Sequence, residues 1–159
     1  MTRRGRRCGA VIALAVALTA AGAQPAAAKI TFGGIGDVDL GMSEADLRAA
    51  LGQPSTAQTG GRPDGTAHLV FRRRKLEVMV NRRRDQVVGI KTTSRAERTS
   101  SGLRVGSSTA TVRRKLRGEK CSTAQGTLVC NVERDGNVMD LEMRRGKVVR
   151  VGVARANRT

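Results

Sequence analysis

Residues 40–54 carry the clearest helical pattern in the chain. Ser43 can act as an N-cap, because its hydroxyl can accept a hydrogen bond from a free N–H group of the first helical turn. Asp46, three residues later, complements the positive end of the helix dipole. Gly52 and Pro54 are typical of a helix end. The pattern therefore predicts a short helix that begins after Ser43 and ends at Gly52.

The apolar positions of this helix form one stripe. Leu47 and Leu51 are four residues apart and share a face with Ala50, whereas Glu44 and Arg48 fall on the other side. We expect the stripe to pack in the core and the two charged residues to face water.

A weaker copy of the pattern lies at residues 105–118. The two copies differ by a constant offset of 65 residues, and the matched pairs are Gly41 with Gly106, Ser43 with Ser108, Leu47 with Val112, Arg48 with Arg113 and Leu51 with Leu116. Ser108 is therefore the predicted N-cap of a second helix. Further along, residues 87–90 match 148–151 at an offset of 61, so the loop after the second helix is the shorter one.

Each predicted helix is followed by apolar runs with strand periodicity. The runs cover residues 68–71, 76–80 and 86–92 in the first half, and 127–132, 138–143 and 147–153 in the second. Asp135-Gly136 and Arg145-Gly146 carry hairpin-turn signals. We also expect a short strand near residues 38–40 and a Gly- and Pro-rich loop at 55–66.

This order predicts an α+β fold: two tandem helix–three-strand repeats, with an antiparallel sheet and the helices on one face. The expected organisation is a signal peptide at residues 1–28, a first α-β-β-β repeat at 29–92, a linker at 93–102, a second repeat with a disulfide at 103–153 and a tail at 154–159.

The N-terminus has the pattern of a secretory signal peptide, in which arginines precede an apolar run at residues 10–21 and residues 26–28 are Ala-Ala-Ala. Cleavage after Ala28 would leave 131 residues and lower the formal net charge from +17 to +13, because the segment carries four arginines and no acidic residue. The run is too short for a bilayer span. We expect a secreted or envelope-associated protein without a transmembrane segment, and the alternative is an uncleaved N-terminal anchor.

Two cysteines follow the signal, Cys121 and Cys130. An exported chain matures under oxidising conditions, so we expect a disulfide that ties the trailing end of the second helix to the next strand. Eight residues lie between the cysteines, and the chain-entropy model gives such a loop a stabilisation of roughly 2–3 kcal/mol. A metal site is the weaker alternative, because His68 is the only histidine.

The string GMSxxxLxxxLGxP at residues 41–54, followed by three predicted strands, resembles the SmpA/OmlA (BamE) lipoprotein family. It is also similar to each repeat of the secreted β-lactamase inhibitor proteins, which carry two such units in tandem. The resemblance implies the tandem fold and a noncatalytic, exported interaction module. The chain departs from both families, since it has no lipobox cysteine and its only aromatic rings are Phe32 and Phe71, so no binding residue is transferred.

No catalytic or cofactor-binding residue is expected. His68 has no cysteine nucleophile to pair with and is predicted to be a half-buried structural residue. Two carboxylate pairs, Asp37 with Asp39 and Asp140 with Glu142, are spaced to share one face of an extended segment, and we expect both to face solvent. The rival hypothesis is an envelope hydrolase that uses carboxylates near the first of these pairs.

Basic clusters are the leading candidates for function. They lie between or beside the predicted elements, and the candidate contacts are Arg72, Arg73, Arg74, Lys75, Arg82, Arg83, Arg84, Arg113, Arg114, Arg144 and Arg145. Such clusters attract anionic surfaces and phosphate-bearing polymers with salt-dependent affinity. The alternative is solvated loop charge, because arginine outnumbers lysine 24 to 6, which fits a GC-rich coding bias.

We therefore expect an exported, noncatalytic binding module for a protein or cell-envelope partner. The second hypothesis is an electrostatic binder of anionic envelope polymers or of a membrane surface. Nucleic acid is disfavoured, because the chain is exported and lacks stacking aromatic residues. The expected protein is a monomer without a cofactor.

Overall fold

The computed structural model describes residues 29–59 and 65–156 of the 159-residue chain. The predicted signal peptide and its cleavage site lie outside the described residues.

Within these ranges the chain forms two short helices and twelve strands. The helices are α1 (Glu44–Leu51) and α2 (Thr109–Lys115). The strands are β1 (Lys29–Ile30), β2 (Gly34–Ile35), β3 (Val38–Asp39), β4 (Thr56–Thr59), β5 (Thr66–Phe71), β6 (Leu76–Asn81), β7 (Gln86–Thr92), β8 (Arg98–Thr99), β9 (Lys120–Ala124), β10 (Thr127–Arg134), β11 (Asn137–Arg144) and β12 (Lys147–Arg155). A 3-10 turn at Arg72–Arg74 joins β5 to β6.

The strands form a large sheet and a small one. The large sheet has eight antiparallel strands in the order β4-β5-β6-β7-β12-β11-β10-β9. Its two central strands, β7 and β12, join the two halves of the chain, with Ile90 opposite Val153. The small sheet has the order β3-β2-β1-β8, and β1 and β8 are parallel.

The predicted α+β fold of two tandem helix–three-strand repeats is wrong. The chain is mostly β, each helix is followed by four strands of one continuous sheet, and a second sheet is present. The missed strands of the large sheet are its two edges, β4 with sequence TAQT and β9 with sequence KCSTA. Edge strands contact one neighbour only and are commonly polar, so they lack the apolar alternation that marks an inner strand. Accordingly, residues 55–66 are not one loop, because β4 lies within them.

One face of the large sheet carries the core. A row of paired, buried residues crosses six strands: Leu69, Val78, Ile90, Val153, Met139 and Val132. Leu47 of α1, Val112 of α2 and Ile35 of the small sheet belong to the same apolar cluster. Both helices and the small sheet therefore pack on this face.

The opposite face of the large sheet is its outer face. It carries the side chains that alternate with the core residues along each strand, because successive residues of a strand point to opposite faces. It includes six half-buried polar residues, which are His68, Glu77, Lys91, Asp140, Glu142 and Arg150.

The start of each helix is anchored to the large sheet in the same way. The N–H of Gly41 donates to the carbonyl of Val87 at 2.8 Å, and the N–H of Gly106 donates to the carbonyl of Val148 at 2.8 Å. Both glycines have positive φ, +92° and +96°, where a residue with a β-carbon is strained. The glycine that recurs before each helix is thus required by the backbone.

The predicted N-caps are confirmed. The side-chain oxygen of Ser43 accepts a hydrogen bond from the N–H of Asp46 at 3.1 Å, and that of Ser108 accepts one from the N–H of Thr111 at 3.2 Å. Each cap satisfies one of the N–H groups that have no partner inside the helix.

The apolar stripe of α1 is narrower than predicted. Leu47 is fully buried, but Leu51 is only partly buried and Ala50 is exposed. Glu44 and Arg48, which were expected to face water, form an ion pair of 2.6 Å and are partly buried. A helix of eight residues makes only about two turns, so one buried leucine anchors it.

The predicted disulfide between Cys121 and Cys130 is present. The two cysteines are directly opposite each other on β9 and β10, so the bond ties an edge strand to its neighbour. The expectation that it would tie the second helix to the following strand is wrong, because Cys121 lies within the strand β9.

Residues 93–102, predicted to be a linker, contain β8, whose pairing with β1 joins this segment to the small sheet. Leu103, immediately after it, is fully buried. No helix in the described part of the chain is long and apolar enough to cross a membrane.

Candidate anion-binding surface

Two basic turns lie at the same end of the large sheet. The Arg72–Arg74 turn joins β5 to β6, and Arg145-Gly146 joins β11 to β12. Strand pairing fixes their common position, because Leu76 pairs with Thr92, Thr92 with Val151 and Met143 with Val148. The predicted hairpin turn at Arg145-Gly146 is confirmed, with φ of 50° and 73° at its two residues.

We call this end of the sheet the basic end. It carries seven exposed cations in or beside the two turns, namely Arg72, Arg73, Arg74, Lys75, Arg144, Arg145 and Lys147. The turns are three strand spacings apart, which is about 14 Å. Neither turn contains an acidic residue, so the positive charge of this end is concentrated.

The opposite end of the sheet carries mixed charge. Arg82, Arg83 and Arg84 lie in the turn between β6 and β7, and the side chain of Arg82 forms an ion pair of 3.4 Å with Glu44. Asp85 ends the same turn and accepts a hydrogen bond from the N–H of Glu44 at 2.9 Å. This cluster resembles the Arg72–Lys75 cluster in sequence but has carboxylates beside it.

Arg113 and Arg114 occupy a third position. Both are exposed on α2 rather than in a turn at either end of the sheet. The structure thus brings together the predicted contacts at Arg72–Lys75 and Arg144–Arg145, and separates from them the contacts at Arg82–Arg84 and on α2.

The centre of the outer face holds a network of charged side chains. The carboxylate of Glu142 accepts from Lys91 Nζ at 3.3 Å and from Arg150 Nη1 at 3.5 Å. The three residues come from three adjacent strands, β7, β12 and β11, and the Glu142 side chain is 17% exposed. One carboxylate therefore holds two cations in place near the basic end.

Asp140 lies beside this network on β11. Burial raises its pKa above the ordinary value of 3.8, the neighbouring carboxylate of Glu142 adds to the rise, and the positive charges of Lys91 and Arg150 oppose it. The expectation that Asp140 and Glu142 would face solvent is wrong, because both are half-buried between neighbouring strands. Asp37 and Asp39 are exposed, as predicted.

His68 is half-buried on β5, as predicted, and its Nδ1 lies 3.2 Å from Glu77 Oε1 on β6. Within the described ranges, no three His, Cys, Asp or Glu side chains are grouped so that they could hold a metal ion.

Three depressions open near the basic end. The first, of about 260 Å³, is lined by Val70, Arg72, Lys75, Glu77, Lys91 and Arg150, together with Leu76 and Thr93. The second, of about 450 Å³, is lined by Arg95, Arg104, Ser107, Thr111 and Lys147, with Gly102, Val105 and Gly106. The third, of about 500 Å³, is lined by Arg73 and Arg74, with Leu51, Gly52, Gln53, Ser55 and Phe71. A carboxylate lines the first depression, the second is lined by three cations and no acidic residue, and the third is lined by two cations from a single turn.

The basic clusters of the sequence do not include Lys91, Arg95, Arg104, Lys147 or Arg150, although these residues line the depressions. Four of them are isolated cations in the sequence, and Lys147 is separated from Arg144-Arg145 by Gly146. The sequence does indicate the positions of two of them. Strand alternation places Lys91 and Arg150 on the face opposite the core residues Ile90 and Val151. Arg95 and Arg104 had no such signal, since they lie in irregular segments.

The fold and this surface define a two-layer, mostly β domain with a strongly basic end. No protein-family model and no curated protein sequence matches this chain. Solved structures with a similar fold include an extracellular protein of Bacillus anthracis str. Ames that contains an SCP domain, with a TM-score of 0.56 and 13% identity over 73% of this chain. The chain spans 44% of the length of that protein.

Two further structures are similar. One is a DUF4309 family protein of Bacillus subtilis, with a TM-score of 0.50 and 10% identity over 71% of this chain and 78% of its own. The other is a cysteine-rich secretory protein of Staphylococcus aureus, with a TM-score of 0.50 and 16% identity over 73% of this chain and 44% of its own. At these identities the likeness concerns the fold alone.

The resemblance to the β-lactamase inhibitor proteins and to the SmpA/OmlA (BamE) family is therefore wrong. The structural neighbours are of other kinds. The motif that suggested the resemblance consists of a glycine, a serine cap and leucines, which many short helices need when they pack on a sheet. Such positions report local structure and do not identify a family.

Proposed function

We propose that the chain is an exported, noncatalytic binding module that holds an anionic polymer of the cell envelope at its basic end. The observation that carries the proposal is the position of Arg72–Lys75 and Arg144–Arg145. These exposed cations share one end of the sheet and have no acidic residue in their turns. Concentrated positive charge of this kind attracts polyanions.

Export is supported by three observations. The first 28 residues have the pattern of a signal peptide. The Cys121–Cys130 disulfide is typical of an oxidising compartment. Two of the similar structures are described as an extracellular and a secretory protein.

A polymer suits the surface better than a membrane or an apolar protein partner. Membrane-surface binding and tight protein interfaces use exposed apolar or aromatic side chains. Among the described residues, the one large apolar side chain that is exposed is Val149, at 36%. Phe71 is buried and Phe32 is half-buried beneath the guanidinium of Arg134, whose Cζ lies 5.0 Å from the ring centroid.

The noncatalytic part of the proposal is supported by the state of the carboxylates. Glu44, in the region of the rival hydrolase hypothesis, is paired with both Arg48 and Arg82. Glu142 is paired with Lys91 and Arg150. Each of these two carboxylates is therefore already engaged by two cations of the chain, which suits a structural role.

The test compares two variants that each lose four positive charges. The basic-end variant carries Arg72→Gln, Arg73→Gln, Arg74→Gln and Arg145→Asn, the last because asparagine tolerates the positive φ of that position. The matched control carries Arg83→Gln, Arg84→Gln, Arg113→Gln and Arg114→Gln. Each protein is applied to immobilised linear polyphosphate and eluted with a salt gradient.

We expect the wild-type protein to be retained and to elute below about 0.5 M salt, where screening is strong. The basic-end variant should elute at clearly lower salt, and the control close to the wild type. Equal loss in both variants would mean that total charge governs binding, and a wild-type protein that is not retained would contradict the proposal.

A further inference from the structure

We infer that the 450 Å³ depression at Arg95, Arg104 and Lys147 is a binding pocket for a phosphate ester group. The inference rests on the proposed function, which requires an anionic ligand at the basic end, and it names the group that is recognised. Arg95 and Arg104 lie outside the basic clusters of the sequence, and Lys147 follows the Arg144-Arg145 pair after Gly146.

The pocket is formed by three separate segments. Arg95 follows β7, Arg104 precedes α2, and Lys147 is the first residue of β12. All three side chains are exposed, and no acidic side chain lines the pocket to neutralise them. Cations that converge from different segments without carboxylates are arranged to share an anion between them.

The segment that carries Arg104 is held in a fixed position before any ligand binds. Leu103 is fully buried and Val105 is nearly so, which leaves Arg104 between two core anchors and exposed. The N–H of Arg104 donates to the hydroxyl of Ser107 at 3.1 Å. Because the backbone is already ordered, binding has to order only the side chain of Arg104, which lowers the entropic cost of binding.

The same segment is joined to β12 by backbone hydrogen bonds. The N–H of Gly106 donates to the carbonyl of Val148, and the N–H of Val148 donates to the carbonyl of Ser107, both at 2.8 Å. These bonds fix Arg104 relative to Lys147, which is the residue before Val148. The backbone positions from which these two side chains extend are therefore set by the sheet.

Arg95 completes the pocket from the third segment. Its guanidinium lies over Gly106, where a β-carbon would be 4.0 Å from Nε. The turn that carries it is held by two side chains, since the N–H of Ser94 donates to the Thr92 hydroxyl at 3.0 Å and the N–H of Ala96 donates to the Ser94 hydroxyl at 3.2 Å.

Phosphate suits this pocket better than carboxylate does. A carboxylate offers two oxygens, whereas a phosphate ester offers more acceptor positions for three cationic partners and the nearby hydroxyls of Ser107 and Thr111. The depression is also larger than a phosphate group, which leaves room for the polyol or sugar that the phosphate esterifies.

The other two depressions are weaker candidates for this role. The 500 Å³ depression is lined by two cations that come from the same turn, Arg73 and Arg74, and the 260 Å³ depression is lined by cations together with a carboxylate. Glu77 lines it, and two of its cations, Lys91 and Arg150, are already paired with Glu142. An incoming phosphate there would meet one carboxylate and compete with another.

The test is an amide NMR titration of the purified protein with glycerol 3-phosphate, with glycerol and succinate as comparison ligands. Succinate carries a similar charge on carboxylates, and glycerol carries none. The pocket variant is Arg104→Gln with Lys147→Gln, and the matched control is Arg113→Gln with Arg114→Gln, which removes the same charge from the same half of the chain. Thermal unfolding of each variant checks that it is folded.

We expect saturable shifts of the Gly106 and Ser107 amides with glycerol 3-phosphate, weaker shifts with succinate and none with glycerol. The affinity should fall about tenfold or more in the pocket variant, because two charge-assisted hydrogen bonds are lost, and stay within about twofold of wild type in the control. Three results would overturn the inference: amide shifts as large with succinate as with glycerol 3-phosphate, shifts confined to other residues, or an unchanged affinity of the pocket variant for glycerol 3-phosphate.

The polyphosphate column separates this inference from the proposed function. If the wild-type protein is retained on the column but glycerol 3-phosphate does not bind at Gly106, the pocket inference fails and the basic-end function stands. Vesicles of phosphatidylglycerol identify the source of the phosphate. If the protein binds these vesicles but is not retained on polyphosphate, the pocket inference is supported, and the phosphate ester that it binds is a lipid headgroup and not part of a polymer.

Discussion

The carboxylate of Asp140 lies against the backbone of Gly152, its partner on the neighbouring strand, in the space that a β-carbon at position 152 would need. Met79 covers Gly89 on β7 in the same manner. Both glycines lie on the two central strands of the large sheet, and both are buried by a side chain from an adjacent strand. The centre of the outer face is therefore closely packed, as the core face is.

This packing predicts the effect of Gly152→Ala. The added methyl group would overlap the Asp140 side chain, which is too short to move far, so we expect a loss of about 1–3 kcal/mol in the free energy of unfolding. Urea denaturation measures it. Asp140→Ala makes room for the methyl group of Gly152→Ala. The free energy of unfolding of the double variant should therefore decrease by less than the sum of the decreases in the two single variants. Additive losses would contradict the contact.

Asp140 also predicts a dependence of stability on pH. Its pKa is raised in the folded protein, chiefly by burial, so between its unfolded and folded pKa the folded state binds more protons than the unfolded state. The contribution of this group to stability is therefore largest below the ordinary pKa of 3.8 and falls as the pH rises through the raised pKa. Asp140→Asn cannot ionise, so the variant lacks this decrease in stability at higher pH.

We expect the free energy of unfolding of Asp140→Asn to improve relative to wild type as the pH increases from about 3 to about 7. Urea denaturation at several pH values measures the difference. A difference that stays constant, or that moves in favour of the wild type, would show that burial does not disfavour the charged form.

Local features of the fold could be predicted from sequence, and long-range ones could not. The sequence predicts Ser43 and Ser108 as caps because a cap depends on residues three positions away. The Asp135-Gly136 turn was identified for the same reason, and both of its residues have positive φ, 51° and 74°. The sequence does not predict the edge strands β4 and β9, because their polar residues lack strand periodicity and their extended structure depends on pairing with β5 and β10.

The arrangement of the basic residues at the candidate site likewise could not be predicted from local sequence. Arg72–Lys75 and Arg82–Arg84 look alike as sequence, and only the strand order shows that one lies at an end without acidic turn residues while the other lies beside Glu44 and Asp85. The pocket cation Arg104 is brought near Lys147 by backbone hydrogen bonds between distant segments. No local pattern could indicate this.

The disulfide predicts a local effect at one edge of the sheet. Replacing Cys121 and Cys130 together by serine should reduce the free energy of unfolding by about 2–3 kcal/mol, because the bond closes a short loop. Amide exchange should accelerate in β9, which the bond ties to β10, and change little in β4 at the other edge. Two free thiols in the native wild-type protein, measured by thiol labelling, would contradict the bond itself.

The narrow stripe of α1 predicts unequal effects of two leucine substitutions. Leu47 is fully buried, so Leu47→Ala should cost about 2–5 kcal/mol, whereas Leu51→Ala should cost clearly less because that side chain is only partly buried. Denaturant unfolding of the two variants compares them directly. Equal losses would mean that α1 packs through both leucines, as the sequence pattern alone suggests.

Glu142 predicts how the outer face influences binding at the basic end. Its carboxylate is paired with Lys91 and Arg150, both of which line the 260 Å³ depression. Glu142→Gln removes that charge, so the two cations become available to an anion and the local potential becomes more positive. We expect tighter retention on polyphosphate and a steeper dependence of affinity on salt concentration.

The matched control is Glu133→Gln, which removes one negative charge from an exposed position of β10 near the opposite end of the sheet. If binding depends on total charge alone, the affinity for polyphosphate should rise equally in the two variants, since each raises the net charge by one. If binding depends on the charge near the basic end, the affinity of Glu142→Gln should rise more, because interactions between charges farther apart than a Debye length of about 8–10 Å are largely screened. Equal gains would thus oppose the assignment of binding to the basic end even if the protein binds the polymer.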